Sequence, residues 1–67
     1  MTLKDAKACV RNKYPKATAI YSGRHNGVFI RETRYFLSRI IGPATAAETD
    51  TAAWKQVAQM VFEGKEL

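Results

Sequence analysis

The sequence has one cysteine, one histidine and no long apolar run. Because Cys9 has no second cysteine to pair with, an intramolecular disulfide and a cysteine-rich zinc site are both excluded. The apolar runs are far shorter than the ~20 residues that a membrane-spanning helix needs. Residues 1–5 show no charged segment followed by an apolar one, so no signal peptide is indicated. We therefore expect a cytoplasmic protein that binds no membrane.

The groups that catalysis needs are also scarce. His25 lies in a predicted turn, where a solvent-exposed histidine is more common than a general base. Cys9 lies on an apolar helix stripe, where the thiol is usually buried and inert. Glu63 and Glu66 are about one helical turn apart, but no second type of metal ligand accompanies them. We predict no enzyme, no metal or cofactor site and no small-molecule substrate.

The 67 residues allow one small domain, 1–67, with a modest core. Positive charge is concentrated in its first part. Nine of the eleven Lys and Arg residues lie in the first 43 positions, against only Asp5 and Glu32. The last 24 positions carry two lysines and four acidic residues. This asymmetry predicts an anionic partner for the first part of the chain.

Two helices are predicted, one near each end of the chain. Thr2 and Asp5 form a variant capping box, and Pro15 limits this helix to about residues 3–13. Its apolar stripe consists of Leu3, Ala6, Cys9, Val10 and Tyr14, and a neighbouring positive stripe consists of Lys4, Lys7 and Arg11. The last helix begins near Thr49 or Thr51 and ends at Gly64. Its apolar stripe consists of Trp54, Val57, Ala58, Val61 and Phe62, and we expect Trp54 to be the core anchor.

The pair Asn26-Gly27 predicts a two-residue type I′ turn, because that turn needs positive φ at both positions. The flanking strands then place Tyr21 opposite Glu32. One face carries Tyr21, Val28 and Ile30, and the other carries Ser22, Arg24, Phe29 and Arg31. A third strand at 35–41 follows a turn at Thr33-Arg34. It adds Tyr35 and Leu37 to the first face and Phe36 and Ser38 to the second.

Gly42-Pro43 ends this strand, and residues 44–50 are predicted to form a loop. The fold class is therefore α+β, with the order α-β-β-β-α. We expect a three-stranded antiparallel sheet with both helices packed on one face and the other face open.

This layout resembles the double-stranded RNA-binding domain. The resemblance touches Gly23-Arg24-His25, residues 28–31 and residues 52–58. It implies that Lys4, Lys7 and Arg11 match the contacts of the family's first helix, and that His25 matches its loop histidine. Where the family has a lysine cluster, this chain reads Asp50-Thr51-Ala52-Ala53-Trp54-Lys55, which keeps one lysine. The layout is also similar to short proteins of phages and prophages, some of which inhibit a host enzyme or defence complex.

The predicted open face combines aromatic rings with guanidinium groups, a pattern typical of proteins that stack single-stranded bases. We therefore predict a binding module for single-stranded or duplex nucleic acid. Its candidate site consists of Lys4, Lys7, Arg11, Arg24, Phe29, Arg31, Arg34 and Phe36. The alternative is a protein-binding module or an inhibitor of a host defence or nucleic-acid-handling protein. A homodimer closing over the same face, or a register that buries the phenylalanines, also fits the pattern.

Overall fold

The computed structural model describes residues 1–34, 36–42 and 45–64, and it has the predicted order of helix, three strands and helix. The elements are α1 (Leu3–Lys13), β1 (Ala17–Ser22), β2 (Gly27–Arg34), β3 (Leu37–Ile41) and α2 (Asp50–Glu63). The strands form one antiparallel sheet in the order β1-β2-β3, so the α+β prediction is confirmed. Across these residues, no helix is long and apolar enough to cross a membrane.

Side-chain caps set the beginnings of both helices. Thr2 Oγ1 accepts a hydrogen bond from the Asp5 amide, and Thr49 Oγ1 accepts one from the Ala52 amide, each at 3.1 Å. Gly64 ends α2 in the left-handed conformation, with φ of 70°. These groups satisfy backbone amides and carbonyls that the terminal turns leave without helical partners. Because these caps form, the two helices begin and end where they were predicted to.

Both helices pack on the same face of the sheet and share one core. Its members are Ala6, Val10, Tyr14, Ala17, Val28, Ile30, Ile41, Ala47, Ala53, Trp54, Val57 and Ala58. Trp54 is 2% exposed, which confirms it as a core residue. Phe62 is 82% exposed, so its predicted place in the core is wrong. Phe62 lies on the exposed side of the last helix, near Lys55 and Gln59. These three residues line one depression.

The first hairpin turns through four residues, not the two that were predicted. Ser22 pairs with Gly27, and the Asn26 amide donates to the Gly23 carbonyl at 3.3 Å. Asn26 has φ of 52°, but Gly27 lies outside the positive-φ region, so the type I′ prediction is wrong. Tyr21 lies opposite Val28, four positions from its predicted partner. Since four is even, Tyr21 and Val28 keep their predicted face.

Gly27 is required by close packing. A Cβ at Gly27 would lie 2.5 Å from Ala46 Cβ and 2.7 Å from the Ala47 carbonyl oxygen. We expect Gly27→Ala to lower the free energy of unfolding by about 1–3 kcal/mol. Gly23→Ala is the control, since its Cβ would meet nothing within 4 Å, and its effect should stay below about 0.5 kcal/mol. Urea unfolding measures both, and equal stabilities would contradict the packing argument.

The second hairpin also differs from its prediction. Thr33 pairs with Ser38 and Arg34 pairs with Leu37, so β2 continues through the expected turn at Thr33-Arg34. A β-branched residue such as Thr33 suits a strand better than a two-residue turn that needs positive φ. Phe36 therefore lies in the β2–β3 connection, not on the open face. Tyr35, the predicted first residue of the third strand, lies outside the described residues, as do Pro43 and Ala44.

Candidate functional site

One end of the sheet gathers positive charge. At this end β1 begins, β2 ends and β3 begins, because Ala17 pairs with Glu32 and Arg34 pairs with Leu37. Lys16 lies directly before β1, Arg31 lies near the end of β2, and Arg39 lies in β3. We call this end of the sheet the hairpin end and define it by Lys16, Arg31, Phe36, Leu37 and Arg39. Arg31 lies on the open face, whereas Leu37 and Arg39 lie on the helix face. Lys16, Phe36, Leu37 and Arg39 are exposed and Arg31 is half-buried.

Arg31 lies on the open face of the sheet, away from the helices. It is opposite Thr18 of β1 and Ile40 of β3. Its Nε is buried and makes no hydrogen bond within the described residues. Thr33 and Ser38 pair with each other on the same face, one row further toward the hairpin end. Because this Nε is buried, an anion from solvent would bind the other N–H groups of the guanidinium, with the neighbouring hydroxyl side chains as further donors.

The acidic side chains of the described chain lie away from this surface or are buried. Glu32 is the acidic residue of the three strands, and it is 2% exposed on the helix face, opposite Arg39 of β3. The others are Asp5 of α1, Glu48 before α2, and Asp50 and Glu63 of α2. The strands therefore present cations to solvent without an exposed carboxylate among them. Such a surface attracts anions.

Phe36 is the most exposed large apolar side chain of the hairpin end, at 97%. Leu37 beside it is 76% exposed. An open depression of about 410 Å³ is lined by Leu37, Ser38, Arg39 and the largely buried Glu32. An aromatic ring that is open on both sides, with cations nearby, can stack on an unpaired base while the cations contact the flanking phosphates.

The predicted pair of stacking rings on the open face is wrong. Phe29 does lie on that face, opposite Ile20 of β1, but it is only 7% exposed. The ring of His25 packs against it in a T-shaped arrangement, with centroids 5.2 Å apart and planes at 88°. The Phe29 ring is therefore already packed, and Phe36 lies in the β2–β3 connection. Arg24 belongs to the turn at the opposite end of the sheet, not to a strand.

The positive stripe of α1 covers Trp54. Lys7 Nζ lies 5.7 Å and the Arg11 guanidinium carbon 5.0 Å from the centroid of the indole ring. Arg11 Nε also donates to the Ala17 carbonyl at 3.3 Å, which joins α1 to β1. Cations over an aromatic face are attracted to it, and their aliphatic stems cover apolar surface. Lys7 and Arg11 therefore stabilise the fold, whereas Lys4 is exposed on α1.

Of the predicted site residues, Arg31, within β2 on the open face, and Phe36, in the β2–β3 connection, lie toward the hairpin end. The backbone of Arg34 is there too, but its side chain lies outside the described residues. Arg39 was not among the predicted site residues. The alternation of side chains along β3 predicts that Arg39 lies on the same face as Leu37. Only the observed pairing of β2 with β3 shows that Arg39 lies opposite Glu32.

No protein-family model matches the chain, and no curated protein or solved structure is significantly similar to it.

Proposed function

We propose that the protein is a small, non-enzymatic module that binds nucleic acid at the hairpin end. The observation that carries this proposal is that Lys16, Arg31 and Arg39 lie at the same end of the sheet as the exposed ring of Phe36, with Arg31 on the open face and Arg39 on the helix face. Cations bind phosphates of any sequence, whereas the ring needs a base that is free to unstack. Single-stranded nucleic acid therefore fits the surface better than a duplex does.

The direct test is fluorescence anisotropy with labelled single-stranded DNA, duplex DNA and duplex RNA. We expect the tightest binding to the single strand. Three phosphate contacts predict that its affinity falls about 20-fold between roughly 50 and 200 mM salt. A preference for duplex RNA would instead favour the resemblance to the double-stranded RNA-binding domain. Absence of binding to every probe at low salt would contradict the proposal.

Phe36→Ala should weaken single-strand binding by about tenfold or more, because one stacked base contributes ~1 to 3 kcal/mol. Binding to duplex DNA should change little, since no base is unstacked there. Phe62→Ala is the matched control: Phe62 is also exposed, at 82%, but lies at the end of α2. Equal losses in the two variants would argue against stacking at the hairpin end.

A second candidate function is a protein-binding module, such as a phage-encoded or prophage-encoded inhibitor of a host defence or nucleic-acid-handling protein. Leu37 and Ile40 favour it, since they are 76% and 40% exposed on the edge strand β3. An apolar protein contact depends on salt mainly through its association rate, whereas phosphate binding loses affinity steeply with salt. Ile40→Ser should weaken such a protein contact and leave nucleic-acid affinity nearly unchanged, because Ile40 does not belong to the hairpin end.

A further inference from the structure

The strand β1 is an edge strand without the usual protection against pairing. It lies at the border of the sheet, in the order β1-β2-β3. Its six residues, Ala17–Ser22, include no charged residue and no proline, although the whole chain has a net charge of +5. Edge strands are commonly blunted by lysine, proline or a bulge, because their free amides and carbonyls bind other strands.

Two sets of hydrogen bonds fix which backbone groups of β1 point away from the sheet. The Ala17 amide donates to the Tyr14 carbonyl at 3.0 Å, and the Ala17 carbonyl accepts from Arg11 Nε at 3.3 Å. The amide and carbonyl of Val28 bond to Ala47, on the side away from β1. Ala17 and Val28 therefore belong to the non-hydrogen-bonded pairs of the β1–β2 ladder.

The alternation of an antiparallel ladder then orients the rest of β1. The amide and carbonyl groups of Ala19 and Tyr21 point outward, and those of Thr18 and Ile20 point toward β2. Within the described residues, the outward groups of Ala19 and Tyr21 have no backbone partner. Those of Ala17 are already bonded to Tyr14 and Arg11. The free edge is therefore short and centred on Ile20.

We propose that β1 pairs antiparallel with β1 of a second copy of this chain, on a two-fold axis at Ile20. Ala19 of each copy then lies opposite Tyr21 of the other, and the two pairs exchange four backbone hydrogen bonds. Ile20 lies opposite Ile20 of the second copy on the open face, next to Phe29. The same donors and acceptors serve both copies, as a two-fold interface requires.

The positions of the charged residues and the register favour pairing of β1 with β1 of a second copy over other pairings of the sheet edges. Within Ala17–Ser22 the β1–β1 pairing brings no two charges together, and Lys16 of one copy meets Arg24 of the other only beyond the strand ends, where both side chains are exposed. Self-pairing of β3 about its middle would place Arg39 directly opposite Arg39 of the second copy, which is unfavourable. A β1 register centred on Ala19 would need the backbone groups of Ala17, which are already used.

The pairing would join the two sheets into one of six strands with both open faces on the same side. The two hairpin ends would then lie at opposite ends of the assembly, because the paired strands run antiparallel. The β1 pairing uses the backbone of Ala19 and Tyr21, which do not belong to the hairpin end, so it does not depend on the proposed function.

A cysteine cross-link tests the register. In the Cys9→Ser background, Ile20→Cys should form a disulfide-linked dimer under mild oxidation, because non-hydrogen-bonded partners have Cα atoms about 4.5 Å apart. Thr18→Cys is the matched control: Thr18 would face Ser22 of the second copy, leaving the two Thr18 positions ~13 Å apart. A dimer with Ile20→Cys alone supports the proposal. No dimer, or equal yields from both variants, overturns it.

Sedimentation of the unmodified chain tests the dimer without cysteines. We expect a shift from monomer to dimer between about 10 μM and 1 mM, since an interface this small binds weakly. Ala19→Pro should remain monomeric over that range with an unchanged circular dichroism spectrum, because it removes an amide that points outward. If the unmodified chain is monomeric throughout, the proposal is overturned whatever the variant does.

Discussion

Replacing Trp54 by alanine is expected to lower the free energy of unfolding by about 3–5 kcal/mol. The indole is 2% exposed in the core, and Lys7 and Arg11 of α1 lie over its ring. The substitution therefore removes core contacts and the surface on which α1 rests. For a chain of 67 residues, the total free energy of unfolding is of the order of 3–10 kcal/mol. We expect a largely unfolded variant.

Far-UV circular dichroism during urea unfolding measures this effect, since the variant has no tryptophan fluorescence. Trp54→Phe is the control that keeps an aromatic face under Lys7 and Arg11, and it should stay folded. Lys7→Met should cost at most about 1 kcal/mol, the usual size of a cation–π contact near the surface. A cooperative transition of Trp54→Ala near the urea midpoint of the unmodified protein would contradict the role given to this residue.

Removing the charges of the hairpin end should have the largest effect on binding. For the triple variant Lys16→Gln, Arg31→Gln, Arg39→Gln, we expect single-strand affinity at low salt to fall by roughly two orders of magnitude. The slope of log affinity against log salt should become shallower by about 2, because three fewer counterions are displaced. Anisotropy titrations at several salt concentrations measure both quantities.

A charge-matched control separates this site from the overall field of the protein. The triple variant Lys4→Gln, Arg24→Gln, Lys55→Gln removes the same charge from three exposed side chains on α1, the first turn and α2. Its affinity should fall much less, because none of the three lies at the hairpin end. Equal losses in the two triple variants would mean that binding is diffuse, and the hairpin end would not be the site.

Local signals explain why the helices were predictable. Thr2, Thr49 and Gly64 cap their helices through contacts within a few residues, so the chain itself contains the information. The faces of the paired strand residues were also predicted correctly. Both predicted registers were wrong by four positions, and because side chains alternate with a period of two, an even shift leaves each residue on its predicted face.

The turns depended on contacts that local sequence does not show. Asn26-Gly27 suits a type I′ turn, but Gly27 instead accommodates Ala46 and Ala47, about twenty residues further along the chain. The second error moved Phe36 from the open face to the hairpin tip, which changes how a base could reach its ring. Likewise, the stripe of Lys7 and Arg11 was evident in the sequence, but its contact with Trp54 arises from the packing of α1 on α2.

The most direct test of the nucleic-acid proposal is a ¹H–¹⁵N correlation spectrum of the labelled protein, titrated with a single-stranded oligonucleotide at low salt. We expect the amide shifts to change most at Lys16, Arg31, Phe36 and Arg39. The indole N–H of Trp54, which is buried under α1, should keep its position. An unchanged spectrum, or changes confined to α1 and α2, would contradict a binding site at the hairpin end.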